Sequence, residues 1–204
     1  MSHVRLERVV KHYGSVVALR ELDLEIQEGE FLTLLGPSGC GKTTTLRLVA
    51  GFIEPTQGTI YLGNDDVTFV PPQKREIGMV FQDYALFPHM TIADNIGFGL
   101  KERGASKEEM RKRVSELLDL IHLPDIAERY PAELSGGQAQ RVAVARAVAY
   151  APKVLLMDEP LGALDLKLRE AMQIELRRIQ QELKITTVYV THDQGEAMNM
   201  SDRI

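Results

Sequence analysis

Apolar and polar positions change rhythm along this chain. Residues 3–35 alternate short apolar runs with turns: 4–10, 16–26 and 31–35 read as strands, divided at Gly14 and Gly29. Leu22, Leu24 and Ile26 alternate with Asp23, Glu25 and Gln27, the period of a strand with one face in water. Residues 45–52 read as a helix, ended by Pro55 and Gly58; 59–62 as a strand; Pro71 and Pro72 as a connector; and 77–81 as a buried strand leading to Gln82. From Thr91 the period lengthens. Residues 91–100 read as one helix, and Ser106 with Glu109 forms a capping box for the next. Met110, Val114, Leu117, Leu118 and Ile121 give that helix an apolar face, which leaves Lys107, Glu108, Arg111, Lys112 and Arg113 as its solvated face.

Pro124 and Pro131 interrupt the chain before a helix over 139–150. Residues 154–157 form an apolar run closed by Asp158 and Glu159. A long helix follows, with Leu168, Met172, Leu176, Ile179 and Leu183 on one face and a Glu175–Arg178 surface pair. Residues 187–190 read as another buried strand. This order predicts an α/β domain over 1–204, with a core of about 1–84 and 151–204 and a helical insert at about 85–150.

The 204 residues suffice for one such domain. A net charge of −5 gives no general attraction to nucleic acid. No apolar run reaches membrane-spanning length, and the opening MSHVRLERVV lacks the apolar core of a signal peptide, so a cytosolic chain is expected. One cysteine excludes an internal disulfide.

Candidate chemistry centres on Gly36, Pro37, Ser38, Gly39, Cys40, Gly41, Lys42, Thr43 and Thr44, between a predicted strand and helix. They fit G-x-x-x-x-G-K-[ST], in which glycines let backbone N–H groups converge on phosphate oxygens, Lys42 reaches the outer phosphates and Thr43 ligates Mg²⁺. A nucleoside triphosphate is therefore the expected ligand. Cys40 has no His or Asp near it in sequence to activate it as a nucleophile. Leu134-Ser-Gly-Gly-Gln138 is a second glycine-rich helix start, though SGG alone is a common turn. Of Asp158 and Glu159, one acid can hold a Mg²⁺ shell and the other can polarise a water. His192 lies at the same sheet end if the strands are parallel; a lone His there is otherwise structural. Tyr13, in the turn His-Tyr-Gly, reads locally as an ordinary loop aromatic. Residues 84–90 are unusually apolar for a loop and are either core or an exposed docking patch.

Taken in order, these pieces resemble the ATP-binding cassette (ABC) ATPases. GPSGCGKTT resembles the Walker A motif, LSGGQ matches the signature motif, and VLLMDE resembles Walker B with its glutamate. Gln82 matches the Q-loop, Ala163-Leu164-Asp165 the D-loop, and His192 the switch histidine. FQDYALFPHMT is similar to the corresponding segment of importer ATPases of the maltose, polyamine, ferric-iron and sulfate type. The resemblance implies a P-loop NTPase (RecA-like) core with a small antiparallel β subdomain and an inserted helical subdomain. It implies ATP and Mg²⁺ as cofactors, with Thr43, Asp158 and Gln82 near the metal and Tyr13 stacked on adenine. Glu159 would activate water, with Lys42, Gln82 and His192 around the γ-phosphate. Ser135, Gly137, Gln138 and Asp165 would act across a head-to-tail homodimer.

The further implied partners are membrane permease subunits and a substrate-binding protein, not nucleic acid. The implied location is cytoplasmic, peripheral on the inner face of the cell membrane. The alternative is a soluble ABC ATPase of translation or DNA repair; a non-hydrolysing regulator is disfavoured by Asp158, Glu159 and His192. Ala139 stands where many relatives carry Gln or Lys. The resemblance further implies that strands beyond Ile204 and a C-terminal regulatory domain are absent from this sequence, with Ile204 as the first residue of an unformed strand.

Overall fold

The computed structural model describes residues 4–204; Met1–His3, where the leader reading begins, lie outside the described residues. Two four-stranded sheets organise them. The first is antiparallel, in the order β2 (Val16–Ile26), β1 (Val4–Tyr13), β4 (Gln57–Leu62), β5 (Asp65–Asp66). The second is parallel, in the order β3 (Phe31–Leu35), β8 (Thr186–Thr191), β7 (Val154–Asp158), β6 (Ile77–Val80).

The parallel strands read as continuous apolar runs because both their faces are covered. Alternate residues go to opposite sides. Phe31, Leu155, Met157 and Tyr189 face the helices α2 (Ile92–Glu102), α3 (Lys107–Leu120), α4 (Gly136–Val148) and α5 (Leu166–Leu183). Leu32, Leu156, Val188 and Val190 face α1 (Lys42–Ala50) and the antiparallel sheet. The alternation expected for 22–27 is present, with Leu22, Leu24 and Ile26 turned inward and Asp23 and Glu25 exposed.

Several boundaries move for local reasons. β1 does not stop at Val10: irregularities in its pairing, with Arg8 at φ 48°, carry it on, so Tyr13 closes a strand and does not sit in the turn. α1 begins at Lys42, directly after the glycine loop. It ends at Gly51 (φ 78°), whose N–H reaches Leu48 O, well before Pro55. α4 begins at Gly136, because Ser135 caps it. The capping box of Ser106 and Glu109 opens α3 as expected. Helix α6 (Gln194–Met200) has no counterpart in the sequence reading. Arg113 is not purely solvated: its guanidinium donates to Ala149 O at 3.0 Å and Val148 O at 3.4 Å, closing the end of α4. The edge of β3 away from β8 is met by the end of the described chain: Thr33 N donates to Arg203 O at 3.0 Å and Asp202 N to Phe31 O at 2.9 Å, and Ile204 is exposed.

The end of α1 depends on Arg75, which is buried. Its Nη1 donates to Leu48 O (2.7 Å) and Val49 O (2.9 Å), its Nε to Val70 O (2.6 Å) and its Nη2 to Thr68 O (3.1 Å). A β-carbon on Gly51 would collide with this side chain. Hydrogen bonds to charged donors each contribute about 1.5–3 kcal/mol net, so Arg75→Met is expected to lose at least about 3 kcal/mol. A urea midpoint close to that of the parent would contradict the capping role.

Candidate functional site

Strand direction gathers the site. Phosphate loop, Gln82, Asp158 and His192 each follow or end one of the four parallel strands, and so emerge at one edge of one sheet. The register is tight: Leu35 lies opposite Thr191 and Asp158 opposite Val190. Open parallel sheets bind ligands at this edge.

The loop over residues 36–41 turns on glycines. Gly41 (φ 102°) takes a conformation that other residues avoid, and a β-carbon there would lie 3.1 Å from Ala18 O of β2. The antiparallel sheet thus leans directly on the loop. Pro37, Ser38, Gly39 and Cys40 are exposed, and nothing lies within 4 Å of the place where a Gly39 β-carbon would sit. Lys42 Nζ donates to Gly36 O (2.5 Å) and Pro37 O (2.9 Å). Thr43 and Thr44 lie in the first turn of α1.

Two pairs of side chains meet beside this loop. Thr43 Oγ1 donates to Asp158 Oδ1 at 3.2 Å. The Asp158 pKa is raised, mainly by burial and further by Glu159, against the lowering effects of the Thr43 hydrogen bond, Arg47 and Lys42. His192 Nδ1 lies 3.1 Å from Glu159 Oε2. Glu159 sits at φ 46°, a costly backbone for a non-glycine residue, held by Glu159 N to Val190 O (3.1 Å) and Gly162 N to Glu159 O (3.2 Å). Gln82 is exposed, and its Nε2 stands 3.8 Å from where a Gly162 β-carbon would be. A hydroxyl and a carboxylate oxygen in direct contact are hard donors of the kind Mg²⁺ takes, so the residues fit that ion.

The remaining expected residues stand apart from this cluster. LSGGQ supplies the cap and first turn of α4. Ser135 Oγ accepts from Gln138 N (3.4 Å), and Gln138 Oε1 accepts from Ser135 N (3.0 Å). Gly137 is buried; a β-carbon on it would meet Leu168 at 3.0 Å and Met172 at 3.4 Å. Only its backbone can serve a ligand. Asp165 is exposed, and its carboxylate caps α5 by accepting from Leu168 N at 3.0 Å. Tyr13 is 50% exposed, with Lys11 Nζ 5.0 Å from its ring centroid. It stands opposite Val16 at the tip of the hairpin whose second strand touches Gly41.

Residues 84–90 are held largely by the domain itself. Tyr84 and Leu86 pack on the domain's own core. Phe87 is half-buried against Phe98, ring centroids 4.7 Å apart, and Asn95 holds its backbone N–H and C=O. Arg146 of α4 donates to Ala85 O (2.7 Å) and Tyr84 O (2.9 Å), fixing two residues at φ 47° and 61°. Arg146, Arg169 and Glu196, which contact residues next to the site, belong to none of its motifs. The one local signal was Asp193 followed three residues later by Glu196, the spacing of a helix start.

The ABC transporter family matches residues 19–162. The spermidine/putrescine import ATP-binding protein of Thermobifida fusca is 60% identical over 98% of this chain and 53% of its own length. The trehalose/maltose import ATP-binding protein of Thermococcus litoralis is 55% identical over 100% of this chain and 56% of its own. The chain thus spans about half the length of the curated relatives it matches. A bacterial ABC transporter cassette solved in dimeric form superposes with a TM-score of 0.83 at 37% identity, covering 97% of this chain and 91% of that one. Matched by the family over residues 19–162 and by relatives 55–60% identical over nearly all of its length, this chain belongs to the ABC transporter ATPase family.

Proposed function

We propose that this chain is the ATP-binding and ATP-hydrolysing part of an importer. The observation that carries the reading is the meeting, at one sheet edge, of the phosphate loop with the Thr43–Asp158 and Glu159–His192 pairs. Lys42 exchanges the carbonyls of Gly36 and Pro37 for the outer phosphate oxygens, and loop N–H groups take the rest. Thr43 and Asp158, with Gln82 nearby, would hold Mg²⁺, which when bound neutralises charge on the phosphates. Glu159 orients the attacking water and takes its proton, while His192 fixes Glu159 and faces the γ-phosphate. Tyr13 offers its exposed ring to adenine, a contact of roughly 1–3 kcal/mol by analogy with base stacking.

A second copy completes the site. The signature turn packs on Leu164, Leu168 and Met172 of its own chain, which leaves the free N–H groups at the start of α4 for an anion held elsewhere. Ser135, Gly137 (through its backbone) and Gln138 then cover the γ-phosphate on the partner's loop, and Asp165 meets the partner beside it. Similarity to a cassette solved as a dimer supports this arrangement. Because the relatives named above are import ATP-binding proteins, an importer is favoured over a soluble ATPase of translation or repair. No described helix is long and apolar enough to cross a membrane, so attachment would run through permease subunits, on the cytoplasmic face, with a substrate-binding protein in the full system. The permease would rest in the cleft formed by Phe81, Phe87, Phe98, Tyr150 and Arg146.

Four outcomes test this reading. Glu159→Gln is expected to keep ATP binding and cut turnover by roughly 10²–10⁴, the scale of a lost general base; near-normal phosphate release would remove Glu159 from that role. Cys40, exposed in the loop, is expected to react with a maleimide and to be shielded by Mg-ATP; equal labelling rates with and without nucleotide would place ATP elsewhere. Leu86→Ala is expected to lower the melting midpoint of the chain itself, towards the low end of the roughly 2–5 kcal/mol typical of core truncations. Phe87→Ala is expected mainly to lose permease association. Retained association by Phe87→Ala would contradict docking at the cleft.

A further inference from the structure

His192 has an exposed side chain, and its ring touches Glu159 alone among the hydrogen bonds of the described residues. The residues on either side of it, by contrast, are both linked to Glu196, Thr191 through its hydroxyl and Asp193 through its carboxylate. Glu196, 3% exposed in α6, accepts through Oε2 from Thr191 Oγ1 (2.6 Å) and Tyr189 OH (2.7 Å). The Thr191 hydroxyl in turn accepts from Asp193 N at 3.0 Å, and Asp193 Oδ1 accepts from Glu196 N at 3.0 Å. The residues before and after His192 are therefore held by one residue, Thr191 by the Glu196 carboxyl group and Asp193 by the Glu196 backbone N–H.

Arg169, in the first turn of α5, extends this network. Its Nε lies 3.8 Å from Glu196 Oε1, with no hydrogen-bond partner of its own, and its Nη1 lies 3.5 Å from Asp193 Oδ2. Its Nη2 donates at 3.0 Å to the carbonyl of Leu164, the residue before Asp165. Burying a carboxyl group is costly, and well-packed apolar side chains would serve stability as well or better. The arrangement does supply orientation. It fixes the peptide that aims His192 and ties it to the backbone of the loop that carries Asp165.

We propose that Arg169 and Glu196 are positioning residues for ATP hydrolysis, acting through His192. They join the His192 segment and the Leu164–Asp165 backbone into one rigid piece, so that the ring keeps its contact with Glu159. This rests on the hydrolytic function proposed above. A small misplacement of an orienting group can cost about a hundredfold in rate without loss of binding.

The test is a double-mutant cycle on the full-length protein in its assembled complex: Arg169→Ala, His192→Ala and the pair, with Arg169→Lys and Glu196→Gln as milder variants. Turnover, KM for ATP and melting midpoint are read for each. Arg169→Ala is expected to lower kcat by roughly tenfold to a hundredfold with KM unchanged. In the His192→Ala background the same change is expected to add nothing, because the residue acts through the ring already removed. Arg169→Lys, which retains the charge but not the fork, is expected to recover part of kcat. Losses that multiply in the double variant, or a kcat that falls only as the melting midpoint falls, would overturn the positioning role. Wild-type protein that turns over no Mg-ATP would overturn the hydrolytic function too, whereas active wild type with an unaffected Arg169→Ala would overturn this inference alone.

Discussion

Parallel pairing of β8 between β3 and β7 is the constraint on which the site depends. It sets Leu35 opposite Thr191 and Asp158 opposite Val190, so that loop, acids and histidine leave the sheet within a residue or two of one another. A slip of one residue in β8 would turn Tyr189 from the helical side to the other and would carry His192 out of reach of Glu159. The register is secured by burial on both faces, with every residue of β8 inside. The site therefore draws its precision from the core of the domain.

Arginine side chains finish what the strands begin. Arg75 closes α1, Arg113 closes α4, Arg146 holds the exit of the Gln82 loop and Arg169 holds the backbone beside Asp165. Each donates to main-chain carbonyls at a helix end or in a loop. The guanidinium suits this work because its planar fork reaches two acceptors at once while keeping its charge. Strain accompanies these contacts. Tyr84, Ala85 and Glu159 all occupy the left-handed region, and each is held there by hydrogen bonds to its own backbone or from Arg146. Such conformations persist only where the surroundings over-determine them, and here they surround the proposed chemistry.

The elements were legible to different depths. Strands with a clean period or continuous apolar character were found almost to the residue, as at 16–26 and 31–35, because burial dictates both pattern and structure. Helix ends were less so. The sequence points to Pro55 as a terminator, yet Gly51 ends α1 earlier, since a residue free to turn left-handed with a buried arginine beneath it acts before the next proline does. Helix α6 escaped notice because it is short and only three of its residues are buried. The apolar segment over 84–90 supported two readings, and the structure divides it: Tyr84 and Leu86 turn inward while Phe87 lines a cleft.

Alone, the amino-acid sequence pointed to the chemistry that resides in contiguous motifs: the glycine loop with Lys42 and Thr43, the acids after an apolar strand, the glycine-rich helix start at LSGGQ, and a family resemblance in their order. These are local because backbone conformation and residue type must coincide within a few positions. What only the tertiary structure decided is distance across the chain. Thr43 meets Asp158, His192 meets Glu159, and Arg169 meets both Leu164 O and Glu196, through strand order and helix packing that no short stretch encodes. The physical reason is that these contacts are fixed by how two apolar faces of one sheet are covered, a property of the whole core and not of any one segment.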